Sequence, residues 1–166
     1  MSPVAGAGRN IEQGDARVGM TFTRRPTSVP ADIRPEWRLP LLLIMVNHCR
    51  GRIASREQLH VLNSAVLSPG SRRALFAALN GRLAARTPVV QFEPALDRAL
   101  DRCTGLGLLQ LTTSGRFELT GLGRSVVEAL AARNDLFVGE RQLLSALPAS
   151  LSQAAIRQVL SGRGTR

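Results

Sequence analysis

The sequence contains no lysine, so all 22 of its basic residues are arginines, and these face only 12 acidic residues. The resulting net charge of +10 predicts affinity for an acidic partner, either nucleic acid or an acidic protein surface. Arginine without lysine, together with abundant alanine and glycine, is also typical of a GC-rich genome. The bias alone therefore does not choose between these partners.

Cysteine and histidine are scarce. The two cysteines, Cys49 and Cys103, form no CxxC pair, which argues against a disulfide framework and a cysteine zinc site. We expect two buried, reduced thiols, as in a cytoplasmic protein. The two histidines, His48 and His60, have no second ligand at a metal-binding spacing, so we expect packing or surface roles. The sequence therefore predicts neither a metal site nor a cofactor.

No long apolar run is present. The most apolar stretch, residues 39–46, is interrupted by Pro40 and is far shorter than the roughly 20 residues that cross a bilayer. The first residues lack the apolar core of a secretory signal, so we expect no targeting segment. We predict a cytoplasmic protein without membrane contact, in which residues 39–46 belong to a buried helix.

Motifs of enzyme active sites are also missing. The serines lack a GxSxG context, which argues against an esterase-type nucleophile. The glycine pairs at 105–107 and 121–123 lack the lysine or serine pattern of a phosphate-binding loop. We therefore expect a protein that is not an enzyme.

Three acids recur every four residues, at Glu93, Asp97 and Asp101. On a helix they would share one face, where they could bind a cation. Because Arg98 and Arg102 lie beside them, we expect a solvated, ion-paired face instead.

The composition, together with the residues that begin and end helices, divides the chain into a tail and a folded part. Residues 1–33 are rich in Gly, Ala, Pro, Ser and Thr without apolar periodicity, which predicts a disordered tail. Residues 34–161 are predicted to form one folded domain with helical extensions at both ends. Residues 162–166 are predicted to fray.

The first half of the folded part is predicted to be helical. Pro35 suits the first turn of a helix that ends near Cys49. Ser55 and Gln58 fit a capping box at the start of the next helix, which ends at residues 68–70. Further helices are predicted over about 71–86 and 95–105, with a short strand at 89–92 between them.

A hairpin follows. Residues 108–112 and 116–120 are predicted as strands around a turn that contains Ser114 and Gly115. Thr120 is placed to cap a helix over about 122–133, and two short helices are predicted over 139–147 and 152–160. A helix, a glycine stop, a hairpin and a capped helix occur in this order in winged helices. The predicted fold is mainly α with a small β-hairpin, a winged helix-turn-helix with extra flanking helices, and Ser114, Gly115 and Arg116 in the wing.

The positive charge is concentrated in residues 35–86, which carry eight arginines and two acids. The third helix is predicted to run to about residue 86, so Arg72, Arg82 and Arg86 lie broadly on a common outer side. We predict that six arginines contact phosphates or an acidic partner: Arg50, Arg52, Arg72, Arg73, Arg82 and Arg86.

The chain resembles known proteins in several short blocks. Residues 115–124, GRFELTGLGR, resemble the wing and following helix of many bacterial winged-helix proteins. Residues 34–38, 58–63 and 92–100 resemble the small middle component of bacterial ABC-type three-component defence systems, which accompanies an SMC-like ATPase and an effector. This resemblance implies a non-catalytic accessory subunit in anti-phage or plasmid defence, with a large ATPase as its protein partner. It leaves open non-specific DNA binding and a homodimer.

The alternative is a winged-helix DNA-binding transcriptional regulator. In such proteins the helix before the wing enters the major groove, so Arg98 and Arg102 would read the bases here. Residues 87–137 carry five arginines and six acids, a net charge of −1. Because phosphates would be repelled as much as attracted by this segment, we expect docking on protein rather than base reading.

Overall fold

In a computed structural model of the protein, residues 35–82, 90, 92–149, 151, 156 and 160 are described. The predicted tails at 1–33 and 162–166 and most of the predicted helix at 152–160 lie outside these residues. The helices are α1 (Pro35–His48), α2 (Arg56–Leu67), α3 (Pro69–Leu79), α4 (Pro94–Gly105), α5 (Gly121–Ala131) and α6 (Val138–Ser145). The strands are β1 (Ile53–Ala54), β2 (Leu109–Leu111) and β3 (Phe117–Leu119). The described chain is therefore mainly helical with a small antiparallel sheet, as the sequence predicted.

Helix α1 lies at the centre of the core. Residues 41–46 are all buried, and Leu41, Leu42 and Val46 have no exposed surface. The helix contacts α2, α4, α5, α6 and β3. An apolar run that covers most of the circumference of a helix requires neighbours on several sides, so the prediction of a buried central helix is confirmed. No helix in the described part of the chain is long and apolar enough to span a membrane.

The boundary between α2 and α3 differs from the prediction. The Ser55 hydroxyl accepts a hydrogen bond from the Gln58 amide (3.2 Å), as the capping pattern indicated. Ser68 was predicted to lie in the break that ends α2, but it also caps α3 by accepting from the Ser71 amide (3.3 Å), with Pro69 in the first helical position. A serine followed by proline ends one helix and starts the next without an intervening loop.

Helix α3 is shorter than predicted. It ends at Leu79, and the chain then turns through Asn80 and Gly81, whose φ of 67° suits glycine. Arg82 therefore follows the helix, and Arg86 lies outside the described residues. The predicted ridge of three arginines along one helix is wrong because the Asn-Gly pair ends the helix first.

The sheet contains a strand that the sequence did not predict. Strands β2 and β3 pair as the predicted hairpin, and β1 pairs with the other edge of β3, which gives the order β1-β3-β2. A strand of two residues carries no alternation that a sequence pattern could reveal. The strand predicted at 89–92 is wrong at residues 90 and 92, which are not in a strand; residues 89 and 91 are not described.

The start of α5 is tied closely to the beginning of the hairpin. The Thr120 hydroxyl accepts from the Gly123 amide (3.0 Å), which confirms the predicted cap, and it donates to the Gly107 carbonyl (2.6 Å). Gly123 packs against the Leu108 carbonyl so closely that a Cβ at this position would lie 2.1 Å from the oxygen. The hairpin and α5 therefore form one locally determined unit.

Candidate binding surfaces

A polar network anchors the N-terminal end of α4 to the core. Both oxygens of the Glu93 carboxylate accept from the Arg38 guanidinium, at 2.8 and 3.0 Å. The Asn63 amide donates to the same carboxylate at 2.9 Å. Arg38 is only 4% exposed, and a two-pronged pair of this kind is among the stronger ionic contacts in proteins. Side chains of α1 and α2 therefore hold the start of α4.

One turn further along α4, Asp97 extends the network. It accepts from the Arg56 Nε at 2.8 Å and lies 3.1 Å from the His60 Nε2. The His60 Nδ1 accepts a hydrogen bond from the Glu93 backbone amide (3.3 Å). Nε2 therefore carries the ring N–H and donates it in the hydrogen bond to Asp97. The imidazole has no exposed surface, and the Phe92 ring lies 4.6 Å from it between centroids. Both ring nitrogens are therefore engaged in structural contacts.

These contacts shift the titration of both carboxylates in the same direction. The hydrogen bonds from Arg38 hold the pKa of Glu93 below its ordinary value, against the opposing effect of burial. Desolvation alone would raise the pKa of Asp97, but the hydrogen bonds from His60 and Arg56 outweigh it, so this pKa is also lowered. Both groups are charged in the folded protein at neutral pH.

We expect acid to destabilise the protein partly through these two carboxylates. A pKa lowered on folding contributes stability above the unfolded pKa and loses it as the pH falls through the folded pKa. For Glu93 the loss of stability begins near pH 4.5, which is the pKa of the carboxyl in the unfolded chain, and continues at lower pH. Urea midpoints at about pH 7, 5 and 4 should fall less steeply in Glu93→Gln than in the unchanged protein. Equal slopes in the two proteins would contradict this expectation.

The network changes the charge that α4 presents to solvent. The expected pairing of the acids with Arg98 and Arg102 is wrong, because Glu93 and Asp97 bond to α1 and α2 instead. Arg98, Asp101 and Arg102 are exposed. Among the described residues no hydrogen bond or ion pair involves the side chain of either arginine. The outer face of α4 is therefore more positive than its composition indicated.

The arginines predicted as phosphate contacts do not form one ridge. Arg72 is half-buried and donates to the carbonyls of Ala65 and Val66, both at 3.2 Å, so it caps the end of α2 rather than facing a partner. Arg73 and Arg82 are exposed. Arg72 therefore has a structural role at the end of α2, and its phosphate contact stays a prediction.

Two of the predicted arginines lie in the turn before β1, the strand that pairs with the hairpin. Arg50 and Arg52 are exposed in the turn between α1 and β1, where Gly51 and Arg52 adopt positive φ values of 70° and 58°. Arg116, predicted in the wing, donates from Nη2 to the Ile53 carbonyl at 3.2 Å. Arg50 and Arg116 thus line one pocket beside β1, a proximity that the sequence did not predict.

The tip of the hairpin is shaped by local hydrogen bonds. The Arg116 amide donates to the Thr112 hydroxyl (3.0 Å), and the Ser114 hydroxyl lies 3.0 Å from the same oxygen. Gly115 has a φ of 71°, which suits the last position of a three-residue hairpin loop. Ser114 and Gly115 are exposed, as expected for a loop tip.

No family model matches the chain. No match is found among the curated proteins or among the solved structures.

The cysteines and histidines lie in structural positions. Burial raises the pKa of Cys49 and Cys103 to about 11, so both thiols are protonated at neutral pH, and both are free and buried as predicted. Burial lowers the pKa of His48. Within the described residues, no group of three or more His, Cys, Asp and Glu side chains is arranged to hold a metal ion.

Proposed function

We propose that the protein is a cytoplasmic winged-helix accessory subunit, without a catalytic role, that docks on a large SMC-like ATPase in a bacterial anti-phage or plasmid defence complex. The order α1-β1-α2-α4-β2-β3 and the sheet order β1-β3-β2 support a winged helix, with α3 as an addition between α2 and α4. The hairpin β2-β3 would be the wing.

The observation that carries this proposal is the meeting of the three segments that resemble the middle component of the defence systems. The first contains Arg38, the second contains His60 and Asn63, and the third contains Glu93 and Asp97. These side chains form one connected network. The three segments lie between residues 34 and 100, and their meeting in one network supports treating them as parts of one structural unit.

Exposed leucines near the hairpin offer a surface for a protein partner. Leu106, Leu111 and Leu122 are each more than half exposed. Leu106 and Leu122 flank the hydrogen bond between Thr120 and Gly107, which holds their two segments together. Single exposed leucines are common on monomers, but leucines on adjoining segments are typical of protein interfaces.

The proposal is tested by co-expressing the full chain with the large coiled-coil ATPase encoded by a neighbouring gene and purifying either one by affinity. We expect the two to co-purify at a fixed stoichiometry. The double variant Leu106→Glu and Leu122→Glu should weaken the complex about tenfold or more, because the charges would be desolvated at the interface. Arg98→Ala with Arg102→Ala should leave it intact. No complex, or no neighbouring ATPase gene, would contradict the proposal.

A DNA-binding regulator is the second candidate, and one observation favours it. Arg98 and Arg102 are exposed on the helix before the hairpin, while Glu93 and Asp97 are engaged elsewhere. The negative balance of the segment, which disfavoured base reading, therefore does not describe the outer face of α4. In this case Arg98 or Arg102 would contact base edges in the major groove.

The two candidates differ in a DNA titration. For a regulator, removing Arg98 and Arg102 should cost about 1–3 kcal/mol of discrimination between duplexes. Removing Arg124 and Arg133 takes away the same charge outside α4 and should change discrimination little. For the accessory subunit, any DNA binding should be equal for all sequences and should lose about 0.9 in the slope of log K against log salt for each phosphate contact removed.

A further inference from the structure

A surface pocket with a volume of about 370 Å³ lies beside the turn between α1 and β1. It is lined by Arg50, Gly51, Ile53, Gln58, Arg116 and Ala149. These residues come from the α1-β1 turn, β1, the first turn of α2, the start of β3 and the segment after α6. Two of the six are arginines and none is an acid, so the lining is strongly positive.

The Arg116 guanidinium is fixed at the pocket with part of its capacity unused. Its Nη2 donates to the Ile53 carbonyl at 3.2 Å, which holds the side chain in place. Its Nε is buried and has no hydrogen-bond partner among the described residues. Because Nε has almost no accessible surface, a ligand in the pocket would meet the terminal nitrogens of this guanidinium rather than Nε.

Arg50 and Gln58 contribute further donors. Arg50 is exposed and forms no ion pair with any described acid, and its backbone amide is held by the Ala149 carbonyl at 2.9 Å. Gln58 is only 5% exposed, and its side-chain amide makes no hydrogen bond to a described residue. Gln58 lies in the first turn of α2, where the helix dipole favours an anion, and its own backbone N–H already donates to the Ser55 hydroxyl.

We propose that this pocket binds a phosphate group, with the guanidinium groups of Arg50 and Arg116 as charged donors and the Gln58 amide as a neutral one. The planar guanidinium of arginine matches the spacing of phosphate oxygens. Two positive charges also suit a phosphate dianion better than they suit a carboxylate, which carries a single negative charge. The site goes beyond the proposed function, because phosphate binding here does not depend on an ATPase partner. The phosphate could belong to a small phosphomonoester or to a nucleic-acid backbone.

The full chain is titrated calorimetrically with inorganic phosphate, adenosine monophosphate, acetate and a short duplex DNA. Phosphate or the monophosphate should bind about tenfold or more tightly than acetate. Arg50→Gln and Gln58→Ala should each weaken binding about tenfold, since each removes one donor. Arg52→Gln removes the same charge from the same turn, but Arg52 does not line the pocket. The affinity of this variant for phosphate should stay within about twofold of that of the unchanged protein. Arg116→Lys keeps the charge and should still weaken binding because the planar guanidinium is lost.

The source of the phosphate follows from which probe binds. Binding of the small phosphates with this variant pattern supports a site for a free phosphomonoester. Binding of the duplex alone, with the same pattern, supports a site for a backbone phosphate. Arg50 is exposed, so its variant is expected to fold, and unchanged thermal unfolding of that variant checks this. The proposal is overturned if no probe binds, if acetate binds as tightly as phosphate, or if Arg52→Gln weakens binding as much as Arg50→Gln.

Discussion

Replacing Gly123 with alanine should lower the free energy of unfolding by about 3 kcal/mol, the upper part of the range for inserting atoms into a packed site. The new Cβ would lie 2.1 Å from the Leu108 backbone oxygen and 2.9 Å from the Leu119 Cδ2. The first contact is with backbone, so no side-chain rotation relieves it. Either α5 or the start of the hairpin has to move.

Gly121 in the same helix provides the matched control. A Cβ at Gly121 meets nothing closer than the Arg124 Nη2 at 3.8 Å, which is an ordinary contact. Gly121→Ala should leave stability unchanged or raise it by about 0.4–1 kcal/mol, because alanine restricts the unfolded chain. Urea denaturation followed by circular dichroism measures both variants. Equal stability of the two would show that α5 does not pack on the hairpin as described.

The second large effect is expected at Glu93. Replacing it with alanine removes the carboxylate from beside the buried Arg38 guanidinium and also the acceptor of the Asn63 amide. Breaking a buried ion pair on one side costs about 3–5 kcal/mol. We expect about 3 kcal/mol, the lower end, because the Glu93 side chain is itself 34% exposed. Chemical denaturation at neutral pH measures the loss.

The control is Asp101→Ala on the same helix. Asp101 is exposed and forms no ion pair with a described residue, so its replacement should cost less than about 0.5 kcal/mol. The pair itself is tested by combining Glu93→Ala with Arg38→Met, which should cost less than the sum of the single replacements. A small effect at Glu93, or full additivity with Arg38, would show that the network does not anchor α4.

The sequence was most informative where structure is determined locally. Pro94 opens α4, Thr120 caps α5, and Gly115 allows the hairpin turn, and each of these acts within a few residues of its own position. The inward residues of α4 followed from helical spacing, and Leu96 and Leu100 are fully buried. The predicted bounds of α4 and the hairpin agree with the structure within one or two residues.

Two of the features that failed depend on partners far along the chain. Strand β1 forms only because β3 lies beside it, and the register of Ile53 opposite Glu118 spans more than 60 residues. The acids of α4 were expected to pair locally with Arg98 and Arg102, but their partners lie on α1 and α2. The spacing of residues along one helix cannot show whether an acid pairs with an arginine on that helix or with one that the tertiary structure brings close.

One signal for the network was present but unused. Arg38 lies near the start of an apolar helix and has no acid three or four residues away in either direction. A lone charge in such a helix needs a long-range partner, because a buried charge is rarely left unpaired. Asn63, in the apolar face of α2, gives the same signal, and both residues bond to Glu93.

The attachment of α4 to the core through Glu93 and Asp97 has a thermodynamic consequence for association. The helix is already ordered and fixed at its N-terminal end, so a DNA duplex that contacted Arg98 and Arg102 would meet them on a preorganised backbone. Within α4, association then orders little more than the two arginine side chains. Beyond the translational and rotational entropy that every association loses, a large conformational cost would arise outside α4, for example from deforming the duplex.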